Sequence, residues 1–101
     1  MNSNQTKLQA QREMDHEILA YVRGMQQHAP VTEESIHAFL IGVRRRRITV
    51  ADTRDRIAYL VSAGYLGRKN VWDGGPEQTY EITALGMELE DGVVPPRDWT
   101  P

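Results

Sequence analysis

Residues 44–69 read RRRRITVADTRDRIAYLVSAGYLGRK. The stretch opens on four consecutive arginines and passes through the β-branched Ile48-Thr49-Val50. It continues as an amphipathic segment and closes on Arg68-Lys69. Arg44, Arg45, Arg46, Arg47, Arg54, Arg56, Arg68 and Lys69 supply eight positive charges against Asp52 and Asp55, a net +6. The whole chain of 101 residues carries −2, so everything else sums to −8. A positive band set into an acidic body is the footprint expected of a polyanion-binding face.

The amphipathic segment predicts a helix over 50–63. Val50, Ile57, Leu60 and Val61 form its apolar side. Asp52, Asp55, Arg56 and Tyr59 lie outward, with Thr53 and Arg54 nearer the flank. Thr49 is placed to cap it, with Asp52 three residues on near the N-terminal amides. Gly64 follows the last periodic residue as a left-handed C-terminal glycine would. Ile48-Thr49-Val50 itself is enough for a short strand at the edge of a small sheet.

Upstream, Thr32 followed by Glu33 and Glu34 marks another helix start. Ile36, Phe39, Leu40 and Val43 then repeat at helical spacing and lead into the arginines. Four adjacent cations exceed what a helix dipole needs and repel one another, so phosphate contact is the functional reading. A solvated helix end is the structural one. The two helices with their short connection, about 32–63, have the spacing of a helix-turn-helix. Earlier still, Met14, Ile18, Tyr21, Val22 and Met25 make one apolar stripe on a helix over about 6–28, and Ala29-Pro30 stops it. Arg12, Glu13, Asp15, Glu17 and Arg23 fall on the other face. The stripe serves the core, or else a homodimer seam.

Downstream, 65–72 reads as a strand and Asp73-Gly74-Gly75-Pro76-Glu77 as a turn. Residues 78–83 form the returning strand, with Gln78, Tyr80 and Ile82 on one face. Thr83 then caps a short helix over about 84–90, where Leu85 and Leu89 pack back. The tail 93–101, with three prolines and Trp99, is not a helix; it is loose, or tacked onto the body or onto a second subunit.

Composition bounds the chemistry. One domain over 1–92 is expected, without room for a two-lobed catalytic cleft. Apolar residues at 40% and charged residues at 26% suit a globular chain. There is no cysteine, which removes disulfides and thiolate chemistry and fits a cytoplasmic protein. The longest apolar run, Ala38 to Val43, is far short of a bilayer span. The opening MNSNQTKLQAQREMD lacks the layout of a signal peptide. His16, His28 and His37 have no second ligand at i+3 or i+4, so no metal is expected, and no cofactor. Gly74-Gly75 lies in a hairpin rather than between strand and helix, so it is no phosphate loop. Nothing supports an enzyme.

The order of elements resembles the winged helix-turn-helix superfamily. RIAYLVSAGYLGRK is similar to its third helix and first wing strand. TYEITALGMELE resembles the second wing strand and closing helix of families related to PadR, MarR and ArsR regulators. There a Tyr-x-Leu-Thr-x-x-Gly pattern is common, and Tyr80, Ile82, Thr83 and Gly86 match it with Ile in place of Leu. The resemblance spans roughly 31–91. It implies an α+β, mostly helical fold: a three-helix core, a two- to three-stranded β-wing over about 65–83 and a short C-terminal helix.

It also implies binding of double-stranded DNA. The helix over 50–63 would enter the major groove, with Thr49, Asp52, Thr53 and Arg56 facing the bases. Arg54 and Tyr59 would lie beside them, Arg44 to Arg47 would meet phosphates, and Arg68, Lys69 and Asn70 would approach from the wing. Two departures stand out: Asp52 and Asp55 bring negative charge to that face, and the wing tip carries Asp73 and Glu77 with no cation. A small transcriptional regulator, dimeric through the N-terminal helix or the tail, is the functional expectation. The alternative is a winged helix that serves as a protein-interaction or assembly module.

Overall fold

The computed structural model describes residues 3–69 and 78–92. Among them the chain forms an α+β structure of four helices and one two-stranded antiparallel sheet. The order is α1 (Ser3–Met25), α2 (Glu33–Gly42), α3 (Val50–Ser62), β1 (Leu66–Lys69), β2 (Thr79–Ile82) and α4 (Ala84–Glu90). No helix among these residues is long and apolar enough to cross a membrane. The expected strand end at Trp72, the turn 73–77 and the tail 93–101 lie outside the described residues.

α1 is the central beam, contacted by α2, β2 and α4. Three neighbours demand a wide apolar face, so the adjacent Ile18 and Leu19 are both fully buried together with Val22. Each such burial contributes roughly 1.5–3 kcal/mol. Leu19 lies off the stripe that spacing alone marked. Met25, at the end of that stripe, is 36% exposed, because the helix stops there. The turn that follows bonds the Ala29 amide to the Met25 carbonyl. Gln26 then reaches across, its Oε1 accepting the Ile82 amide at 2.9 Å.

α2 begins with a reciprocal cap. Thr32 accepts from the Ser35 amide and Ser35 Oγ accepts from the Thr32 amide, which satisfies two otherwise orphaned donors. Ile36 and Leu40 are fully buried, and Phe39 stacks on Tyr21 with ring centroids 4.5 Å apart. Val43 was expected on this face and is 67% exposed. The helix ends at Gly42, so Val43 leaves the stripe. The arginines therefore form a loop rather than a helix end. The Arg44 amide bonds to the Phe39 carbonyl and the Arg46 amide to the Leu40 carbonyl, with Arg45 left-handed at φ +58° between them.

Thr49 caps α3, its hydroxyl accepting the Asp52 amide at 3.0 Å. Ile57 and Leu60 are buried as their spacing requires. The third buried position is Thr53, not Val50. Val50 is the first residue of the helix and is 45% exposed. Thr53 lies one turn before Ile57 on the same face, and its hydroxyl donates to the Thr49 carbonyl, so its burial leaves no donor unmet. Gly64 ends the helix at φ +90°, and the Tyr65 amide returns to the Leu60 carbonyl.

The strand expected at Ile48-Thr49-Val50 does not form. Its residues are instead consumed by the cap of α3 and by the Ile48 carbonyl, which accepts from His37 Nε2 at 3.0 Å. β1 pairs with β2 in the register Leu66 with Ile82 and Lys69 with Thr79. A further β-bridge comes from the segment before α2: Thr32 pairs with Thr79, and the Tyr80 amide bonds to the Val31 carbonyl. This covers Thr79, which is 4% exposed. The expected two-face alternation of 78–83 is overridden there.

Thr83 caps α4 through the Gly86 amide and donates to the Gly64 carbonyl at 2.6 Å. One hydroxyl thus joins the end of α3 to the start of α4. A Cβ at Gly86 would stand 2.1 Å from the Tyr65 carbonyl oxygen, so only glycine allows this approach.

Candidate nucleic-acid interface

The arginine loop sits between α1 and α3, and α1 supplies carboxylates to it. Arg46 forks onto Glu17, with Nε to Oε1 at 2.6 Å and Nη2 to Oε2 at 2.9 Å. Arg44 Nη2 donates to the same carboxylate at 3.0 Å. The Arg46 hydrogen bond, opposed by burial and reinforced by Arg44, holds the Glu17 carboxyl below its ordinary value. The same bond raises the Arg46 guanidinium.

Two further arginines are held in the same way. Arg56 donates to both oxygens of Asp15 at 2.6 and 2.7 Å and lies 4.2 Å over the Tyr59 ring. Its side chain is only 13% exposed. Arg54 donates to both oxygens of Glu33 at 2.9 and 3.2 Å, yet its side chain is 64% exposed. Four of the eight cations are thus paired with three carboxylates from α1 and α2. Counted with those partners, the +6 band is reduced to +3.

Arg45, Arg47, Arg68 and Lys69 are exposed and make no ion pair with a described residue. The first two precede the amino end of α3, and the last two lie on β1 beyond its carboxyl end. Between the arginine loop, α1 and α3 runs an open groove of about 950 Å³, lined besides the arginines by Met14, Ile48, Asp52 and Asp55. Comparison with models of known families and with curated proteins finds no match for the chain.

The residues singled out from sequence therefore divide. Arg45, Arg47, Arg68, Lys69, Thr49 and Arg54 reach the surface. Thr53 is fully buried, facing the core from the α3 stripe, and does not face outward. Arg56 is drawn onto Asp15 of α1 and lies over the half-buried Tyr59 ring, which packs against the core. Arg44 and Arg46 fasten the loop to α1. Asp15, Glu17 and Glu33 were missing from the sequence-based site. Their one signal was a row of acids on α1 and at the start of α2 in a chain whose cations are concentrated elsewhere.

Proposed function

We propose that this chain is a winged-helix DNA-binding protein, a small transcriptional regulator in which α3 enters the major groove and a reduced set of cations engages phosphates. The observation that carries the reading is the pair of exposed cation clusters at the two ends of α3 that make no ion pair with a described residue: Arg45 and Arg47 before it, Arg68 and Lys69 after it. Phosphate contacts on both flanks are what fixes a helix in register on a duplex. Ala51, Arg54, Asp55 and Ala58 form the exposed face between them. The bridge from Thr32 to Thr79 supports the fold side of the reading, since a short strand before the second helix is what completes a winged-helix sheet.

Arg44, Arg46 and Arg56 are framework residues in this reading. They keep the loop and α3 in place on α1. A second copy paired through α1 belongs to the same proposal, and would set two α3 helices against two half-sites.

Fluorescence anisotropy with labelled duplex DNA at several salt concentrations tests the reading. Binding whose logarithmic salt slope lies near −4 for each bound subunit, as expected for about four phosphate contacts on each, supports it. Absence of binding at low salt overturns it. One observation favours a protein-interaction module instead: Asp52 and Asp55 are exposed on α3, beside a band already half neutralised. That reading predicts no DNA binding with the fold intact.

A further inference from the structure

Resting on the DNA-binding reading, we propose that Arg54 reads a guanine base and that Glu33 is the residue that positions it to do so. A guanidinium has five N–H donors in one plane. The Glu33 carboxylate takes the Nε donor and one from Nη2. That leaves the end-on edge, one N–H from Nη1 beside one from Nη2, without a hydrogen bond to a described residue. The side chain is held at its inner edge and open at its outer one, 64% exposed.

The open edge fits two coplanar acceptors side by side. Guanine O6 and N7 in the major groove have this form, and so do two oxygens of a phosphate. The local charge chooses between them. Glu33 neutralises the guanidinium, and Asp55 stands next to it on the exposed face of α3. A phosphate approaching Arg54 meets two carboxylates and gains little from one compensated cation. A guanine is neutral and keeps the geometry of the fork without that repulsion. Ala51 and Ala58, three residues before and four after Arg54, share its face and are exposed. Their small side chains let the helix backbone approach base edges closely. Glu33 also fixes a flexible side chain before binding, which reduces the ordering cost of the contact.

The test is selection from a pool of randomised duplex DNA by the full chain, with the base composition of the bound fraction read by sequencing. Wild type, Arg54→Ala, Arg54→Lys, Glu33→Ala and Arg45→Ala are compared. The expected result is a guanine enriched at one position by wild type and depleted about tenfold or more by either Arg54 variant, since lysine cannot make the planar pair. Glu33→Ala removes a negative charge from the face, so overall retention of the pool holds or rises while the guanine preference falls. These opposite directions separate positioning from plain electrostatics. Arg45→Ala lowers retention and keeps the guanine.

Guanine enrichment unchanged in Arg54→Ala overturns the inference and leaves the DNA-binding reading standing on wild-type retention. Loss of all retention in Arg54→Ala overturns it too, by making Arg54 a general anchor. A guanine preference that Glu33→Ala does not move overturns the role of Glu33. No retention by wild type at low salt overturns both the reading and the inference.

Discussion

Arg56 on α3 and Asp15 on α1 form a two-bond ion pair, 2.6 and 2.7 Å, with side chains only 13% and 8% exposed. The pair joins the helix at the centre of the candidate interface to the beam of the fold. Each partner offsets part of the other's desolvation. Replacing one leaves a charge in a place water barely reaches. Asp15→Ala is therefore expected to cost roughly 3 kcal/mol in urea unfolding. Replacing both, as Asp15→Leu with Arg56→Met, is expected to cost clearly less than Asp15→Ala alone. A loss below about 1 kcal/mol in Asp15→Ala would put the pair in the class of weak surface contacts.

The close approach of α4 to the end of α3 makes a second demand. Gly86→Ala would press a methyl into the Tyr65 carbonyl, 2.1 Å away and part of the backbone, which cannot rotate aside. The expected cost is about 3 kcal/mol or more, seen as a lowered midpoint in thermal or urea unfolding. Gly67→Ala is the control. Among the described residues its added carbon would meet only the Glu81 and Thr83 side chains at 3.7 and 3.8 Å, an ordinary contact. Equal costs at the two positions would refute the packing argument.

Glu17 ties stability to acid pH. Its carboxyl is held below the ordinary 4.5 by the hydrogen bond from Arg46 and then by Arg44. A depressed value in the folded state means the unfolded chain binds the proton first. The contribution is complete above pH 4.5 and is lost as pH falls through the lower folded value. Glu17→Gln removes that dependence. Unfolding free energy measured against pH is expected to fall less steeply below about pH 4.5 in the variant than in wild type, with the two lowest-pH values converging. Parallel curves would mean that Glu17 does not hold the loop.

What could be read from the sequence was local. Thr32, Thr49 and Thr83 were recognisable as caps because a hydroxyl before a helix has one obvious use, and Gly64 because a helix that stops and turns needs positive φ. Ile36, Leu40, Ile57 and Leu60 followed from spacing. What escaped was non-local. Leu19 is buried because three elements converge on α1, and a single periodicity does not carry that. A short edge strand was expected at Ile48-Thr49-Val50, which had the right propensity. The bridge to Thr79 comes instead from Thr32, whose capping role concealed it. Thr53 and Val50 exchange places because a helix end lies too far out to be covered, while a hydroxyl bonded to its own helix can be buried. The interface suffered most. Counting charge along the chain gave the band, but charge in sequence does not reveal which carboxylates fold onto it. Asp15 and Glu17 looked like a solvated face until α1 was set against the arginine loop.

The two kinds of arginine separate experimentally. Arg45 and Arg47 are exposed and unpaired with described residues, whereas Arg44 and Arg46 share Glu17. If phosphates are met by the free pair, Arg45→Ala and Arg47→Ala should each flatten the salt dependence of DNA binding by about one unit and weaken all sequences alike. Neither should lower unfolding stability by more than about 0.5 kcal/mol, as neither leaves a buried partner. Arg46→Ala should behave in the opposite way. It strips Glu17, 14% exposed, of its fork, so stability falls while the salt slope stays near that of wild type. A slope that drops on Arg46→Ala would mean that the guanidinium leaves Glu17 for a phosphate in the complex. The carboxylates of α1 would then compete with DNA rather than serve as framework.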